Sequence, residues 1–146
     1  MSKPIVYVID DDAAVRDSFH ILFESHGIEV RCYASGEAFL GAAPPLENSC
    51  LIIDVNLPEL NGIDLLGRLL RDDFMTPTFL ITGGGSMAGL RSTVDRNDVV
   101  LLEKPVVARE LVAEVRKALG AGRTQYRSAV SAPNLKSSAS RSSSNV

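Results

Sequence analysis

Ile5-Val6-Tyr7-Val8-Ile9-Asp10-Asp11-Asp12 decides how the rest of the chain is read. Its apolar run, rich in β-branched residues, is the pattern of a strand buried on both faces, since a half-exposed strand would alternate polar with apolar. The run ends abruptly on three aspartates. From Ala13 to His26 the apolar residues Val15, Phe19, Leu22 and Phe23 fall at helical spacing, and Gly27 supplies the stop. The unit then recurs. Ile28 to Cys32 is a short second strand, and Ser35 caps a small helix through Leu40, halted by Gly41 and the Pro44-Pro45 pair. Leu51-Ile52-Ile53 is another buried run and it too finishes on an acid, Asp54. Pro58 and Asn61-Gly62 mark the following turn, and Ile63 to Arg71 reads as a helix with Ile63, Leu66 and Leu70 on one stripe. Thr78 to Ile81 is a fourth strand ending at Thr82, and Val99 to Leu102 a fifth, ending at Glu103-Lys104-Pro105. A last helix runs from about Ala108 to Leu119, with Leu111, Val115, Ala118 and Leu119 inward and Gly120 as its cap.

Strands alternating with helices imply an α/β protein: a doubly wound, five-stranded parallel sheet covered on both faces. In that class ligands bind beyond the carboxyl ends of the strands. The strand ends here carry Asp10, Asp11 and Asp12, then Asp54, Thr82 and Lys104. Cys32 closes strand two and Cys50 opens strand three, so the two thiols are expected at opposite ends of the sheet, as core residues and not a disulfide. Ser86 to Arg96, with Gly89, Ser92, Thr93 and Asp95, makes a poor fourth helix. The domain is expected to span residues 1–121. Residues 122–146, Ser-rich with few large apolar side chains, are expected to form a disordered tail.

A net charge of −3 and a pI near 5.3 argue against a nucleic-acid footprint, which is ordinarily basic. The opening MSKPIVYVID is too polar and too short in its apolar run for a signal peptide or membrane span, so a cytoplasmic protein without membrane contact is the expectation.

Converging carboxylates repel one another and raise each other's pKa unless a cation neutralises them. A hard divalent ion answers that need, and Mg2+ favours a few carboxylates, retained waters and phosphate oxygens. Lys104 adds a compact charge able to pair first with a carboxylate and then with a phosphoryl oxygen. Thr82 offers a hydroxyl, and the glycines from Gly83 onward expose backbone N–H groups to an anion. Metal, cation, donors and a carboxylate nucleophile are the parts of a phosphoryl-transfer site. Each feature alone has an ordinary explanation. Acids favour helix N-termini, Asp54 is a plausible turn former, and a Lys-Pro pair suits a surface loop. Their order along four strand ends carries the weight.

VIDDD, LIIDVNLPELNG, FLITG and LLEKP resemble the acidic-pair, phospho-acceptor, switch-hydroxyl and Lys-Pro motifs of bacterial response-regulator receiver domains. YASGEAFL and the TGGG loop are most similar to the FixJ-type subfamily, and the resemblance covers about residues 4 to 120. It implies a flavodoxin-like strand order 2-1-3-4-5 and a two-component signalling role. Asp54 would accept a phosphoryl group from a sensor histidine kinase or phosphotransfer protein. Asp11 and Asp54 would ligate Mg2+ directly, with the Asn56 carbonyl as third protein ligand and Asp10 acting through water. Lys104 would contact the phosphoryl group with Gly83 also binding it, Thr82 would swing toward it as the switch, and Lys104-Pro105 would be a cis peptide. Val15-Arg16 matches the family's Val-Arg and selects Asp10-Asp11 as the acidic pair, leaving Asp12 as helix cap. The protein would then act by phosphorylation-dependent binding of a downstream protein, catalysing only its own phosphorylation and dephosphorylation, with a homodimer left open.

Departures from the pattern bear on the readout. Leu101 stands where receivers usually carry Tyr or Phe, and a leucine cannot report the switch by a ring flip. Arg96-Asn97 replaces the usual Ala-Gly, and Asn56 and Gly84 suggest a short-lived phosphate. No helix-turn-helix pattern follows Gly120, so direct DNA binding by this chain is not expected; it reads as a single-domain receiver or a receiver cut from a longer protein. Two alternatives stand beside the favoured one. A phosphatase or phosphotransferase of another Asp-nucleophile class would need an Asp-x-Asp after the nucleophilic strand, where this chain has Asp54-Val55-Asn56. A receiver-like module that signals by constitutive binding is kept open by Leu101.

Overall fold

The computed structural model describes residues 3–71, 76–83 and 99–120. Five strands, β1 (Ile5–Ile9), β2 (Glu29–Tyr33), β3 (Ser49–Asp54), β4 (Thr78–Thr82) and β5 (Val99–Glu103), form one parallel sheet in the order β2-β1-β3-β4-β5. The doubly wound α/β reading and its strand order are therefore correct. Helices α1 (Ala13–Glu24), α2 (Gly36–Ala42) and α3 (Gly62–Arg71) intervene, and α4 covers 108–120.

The two-residue period of β1 divides the core. Ile5, Tyr7 and Ile9 face one layer, with Phe39 of α2 and Leu65, Leu66 and Leu69 of α3. Val6 and Val8 face the other, with Phe23 of α1 and Leu111, Val112, Val115 and Ala118 of α4. Every residue of β1, β3 and β4 is buried, and β1 and the centres of β3 and β4 are unbroken apolar runs, with Ser49, Asp54, Thr78 and Thr82 at the strand ends. Tyr7, Tyr33 and Phe39 form an aromatic trio with ring centroids 5.3–6.2 Å apart, and the Tyr7 hydroxyl donates to the Pro45 carbonyl at 2.7 Å.

Three helices start on side-chain caps. Asp12 accepts from the Ala14 and Val15 amides at 2.9 and 3.4 Å, Ser35 from Ala38 at 3.0 Å, and Asn61 from Asp64 at 2.9 Å. Each such cap is worth about 1 kcal/mol. The assignment of Asp12 as cap is thus correct.

Several boundaries differ from expectation. Helix α1 ends at Glu24, two residues short of His26, while Gly27 takes the left-handed conformation (φ 76°) that turns the chain into β2. Gly41 does not halt α2, which runs through it to Ala42; Ala43, at φ 44°, is the C-cap. The buried stripe of α3 is Leu65, Leu66 and Leu69, with Ile63 only partly covered; the Leu70 side chain lies outside the described residues. Gly120 falls within α4 instead of capping it. Cys32 lies towards the carboxyl end of β2 and Cys50 towards the amino end of β3, each one residue in from the strand end. They pair with Val8 and Val6 of the intervening β1, two residue steps apart, and both thiols are free. Two strand spacings and two residue steps separate them by about 12 Å, far beyond disulfide reach. The expected weak helix over 86–96, Arg96-Asn97, Gly84 and the 122–146 tail lie outside the described residues.

Candidate functional site

Bonds past the last paired residues continue the sheet ladder at the carboxyl ends of β1 and β2, of β3 and β4, and of β4 and β5. The Asp10 amide donates to the Tyr33 carbonyl at 3.0 Å, Val55 to Ile81 at 2.8 Å, and Lys104 to Thr82 at 2.8 Å. The residues following each strand are therefore held as firmly as the strands. Ile9 pairs with Ile53, so Asp10 and Asp54 emerge side by side from the two central strands. Both are buried, at 5% and 7% exposure, which is rare for carboxylates without a partner.

Asp10, Asp11 and Asp54 each present a carboxylate oxygen within 4.8 Å of the others. One oxygen of Asp54 accepts the Asn56 amide at 3.0 Å; the other lies 3.8 Å from Lys104 Nζ, an ion pair too long for a hydrogen bond. Asp10 Oδ1 accepts the Asp12 amide at 2.9 Å. Burial pushes the Asp10 carboxyl above the usual carboxylate range; Asp54 and Asp11 push the same way, against the Asp12 amide and Lys104. A cation among these oxygens would remove that penalty, and an all-oxygen donor set with a nearby lysine suits a hard divalent ion.

Thr82 is buried at the end of β4, one residue beyond Ile81, the β4 partner of Asp54. A Cβ on Gly83 would lie 3.9 Å from Asn56 Nδ2 and 4.0 Å from Lys104 Cδ, so Gly83 sits between those two side chains. The Lys104-Pro105 peptide is cis. Leu101 pairs with Leu80 across β4–β5 and packs, half-buried, on the α2–α3 side of the sheet. Asp10, Asp11 and Asp54 thus come together, with Lys104 on Asp54 and Asn56 and Gly83 beside it, and Leu101 lies away in the core layer.

Two features were not foreseen. A cavity of about 500 Å³ opens beside the acids, walled by Val15, Phe19, Ile81 and Val106, with Asp10 and Lys104 on its lining. Arg16 donates from Nη1 to the Asp10 carbonyl at 2.8 Å. The Val15-Arg16 pair was the available signal, yet nothing in a linear pattern says which backbone atom an arginine reaches. Burial raises the pKa of both thiols, so Cys32 and Cys50 are core residues without thiolate chemistry.

The family description "Response regulator receiver domain" matches residues 6–116. The transcriptional regulatory protein FixJ of Bradyrhizobium diazoefficiens is 37% identical over 118 residues, 81% of this chain and 58% of that protein. Nodulation protein W of the same organism is 35% identical over 136 residues, 93% of this chain and 60% of the relative. Among solved structures, FixJ-N superposes with a TM-score of 0.72 at 28% identity, covering 82% of this chain and 96% of that one. The chain spans about 60% of the length of these curated relatives. Among the described residues no helix is long and apolar enough to cross a membrane.

Proposed function

This chain belongs to the response-regulator receiver domain family, and on that premise we propose that Asp54 is a Mg2+-dependent phosphoryl acceptor charged by a histidine kinase or phosphotransfer protein. The observation that carries the reading is the meeting of the Asp10, Asp11 and Asp54 oxygens within 4.8 Å, beside Lys104 at 3.8 Å from Asp54. Asp54 and Asp11 would hold the ion, with the Asn56 carbonyl as third protein ligand and Asp10 acting through water. When bound, Mg2+ supplies charge that offsets the acids and the phosphoryl oxygens.

The chain's own residues do the rest. An Asp54 oxygen attacks the phosphorus of a phosphohistidine, the P–N bond breaks, and the imidazole leaves with the nitrogen's electron pair, the ring taking up one proton from solvent. The product is an aspartyl phosphate and a free histidine. The Asn56 amide, bound to Asp54 Oδ1, orients the carboxylate so that Oδ2, on the Lys104 side, is the nucleophile. The Lys104 ammonium turns from Asp54 to a phosphoryl oxygen while Thr82 and the Gly83 amide take others. The cavity lined by Phe19 and Val106 opens beside Asp10 and Lys104, where a donor side chain could approach the acids. Phosphorylation-dependent protein binding is the output, in a domain spanning 1–121 and acting in the cytoplasm.

Incubation with Mg2+ and phosphoramidate tests this: a base- and hydroxylamine-labile phosphate should form on Asp54 and be absent without Mg2+. No labelling together with no Mg2+ affinity would overturn it. Half-buried Leu101, packed against the core layer, favours a second reading in which the module binds its partner constitutively. Equal partner affinity before and after labelling would select it.

A further inference from the structure

The two backbone polar groups of Asp10 are both held from outside β1. Its amide is bound to Tyr33 of β2 at 3.0 Å, and its carbonyl accepts from Arg16 of α1 at 2.8 Å. That carbonyl belongs to the peptide joining Asp10 to Asp11, two of the three clustered acids. Arg16 is itself anchored. Its amide donates to Asp12 at 3.0 Å, and its carbonyl lies 3.7 Å from the Cys32 thiol. The Arg16 guanidinium reaches the backbone carbonyl of Asp10, while the charged groups that bear on the Asp10 carboxyl include Asp54, Lys104 and Asp11.

We propose that Arg16 is a positioning residue for the metal-binding acids: its hydrogen bond to the Asp10 carbonyl holds ψ of Asp10 and so the placement of the Asp11 carboxylate relative to that of Asp10. The proposal rests on the reading of the cluster as a Mg2+ site. A peptide is a rigid plane, so the direction of the Asp10 carbonyl fixes ψ of Asp10 and with it where the chain carries Asp11 relative to Asp10. Carboxylates this close repel, and an unbraced turn relaxes by splaying them apart. A guanidinium donor makes a bond roughly twice as strong as a neutral one, enough to oppose that relaxation. Mg2+ demands near-octahedral geometry and tolerates misplaced ligands poorly.

Arg16→Met keeps the aliphatic stem and removes the donor, whereas Arg16→Lys keeps one charged donor. MgCl2 titrations of the full chain by calorimetry, and the Mg2+-dependent rise in Tm, compare both with the wild type. Arg16→Met should bind Mg2+ about tenfold more weakly, the lower end of the loss for an outer-shell partner, and Arg16→Lys should recover most of it. The Asp11 amide, part of the braced peptide, should shift in NMR spectra of metal-free Arg16→Met. Wild-type Mg2+ affinity in Arg16→Met would overturn the proposal. So would a lowered metal-free Tm with an undiminished Mg2+-dependent rise, the behaviour of a purely structural brace. A wild type that does not bind Mg2+ removes the metal reading and the proposal together; a wild type that binds beside an equally competent Arg16→Met removes only the positioning role.

Discussion

Gly62→Ala probes how closely α3 is pressed against the acceptor strand. A Cβ at Gly62 would lie 2.5 Å from the Asp54 carbonyl oxygen and 2.8 Å from Val55 Cα. Carbon atoms prefer about 3.5–4.0 Å, so the start of α3 must retreat by roughly 1 Å. Both obstacles are backbone of the buried β3 end, which has nowhere to go. Overpacking of this kind costs about 1–3 kcal/mol. Retreat also stretches the Gly62 amide bond to the Val55 carbonyl at 3.0 Å, a further loss of about 1 kcal/mol. Alanine's advantage over glycine in a helix offsets about 0.5–1 kcal/mol. The net is a destabilisation of about 2 kcal/mol, or roughly 8 °C in Tm for a domain of this size. Gly67 in the same helix is the control, because nothing lies within 4 Å of a Cβ there. Gly67→Ala should therefore gain about 0.5–1 kcal/mol and raise Tm by roughly 3 °C. Thermal unfolding followed by circular dichroism measures both. Because the obstructing atom belongs to Asp54, Gly62→Ala should also slow phosphoramidate labelling, which Gly67→Ala should leave intact. A Gly62→Ala protein as stable as wild type would refute the reasoning, by showing that α3 can withdraw from the site freely.

Asp54→Asn should abolish labelling with Tm changed by no more than about 4 °C, a shift worth roughly 1 kcal/mol in a domain of this size, because the amide oxygen can still accept from Asn56; mass spectrometry of labelled protein checks it. Asp10 supplies a pH test. Its folded-state pKa is raised above the unfolded value of about 3.9, so the folded chain holds that proton more tightly and stability is lost as pH rises through the folded value. In EDTA, Asp10→Asn should thus be more stable than wild type at neutral pH, with the gap closing as pH falls towards about 4. Urea midpoints across that range would contradict this if the variant were the weaker at pH 7. Tyr7→Phe leaves the Pro45 carbonyl without its donor and should cost about 1 kcal/mol in urea unfolding. Its Mg2+ affinity should match wild type, since Tyr7 lies on the layer away from the acids.

The strands were legible because their information is local. A strand buried on both faces must be apolar at every position, so Ile5–Ile9 and Leu51–Ile53 announce themselves, and the acids that break such runs mark the sheet edge where ligands bind. Caps were equally readable: Asp12, Ser35 and Asn61 act on amides two or three residues away. Helix faces were less so. Ile63 fits helical spacing as well as Leu65 does, and only the packing of α3 into the core layer buried Leu65 and left Ile63 partly covered.

By itself, then, the sequence determined the doubly wound parallel sheet, the identity of its acidic edge and the family resemblance, since each depends on periodicity or on residues within a turn of one another. The tertiary structure decided what those residues touch. The pairing of Ile9 with Ile53 brings Asp10 beside Asp54, the approach of α3 makes Gly62 abut the Asp54 carbonyl, and the seating of α1 aims Arg16 at Asp10. Distances of a few ångströms between elements arise from the packing of whole faces, and no short stretch of chain encodes them.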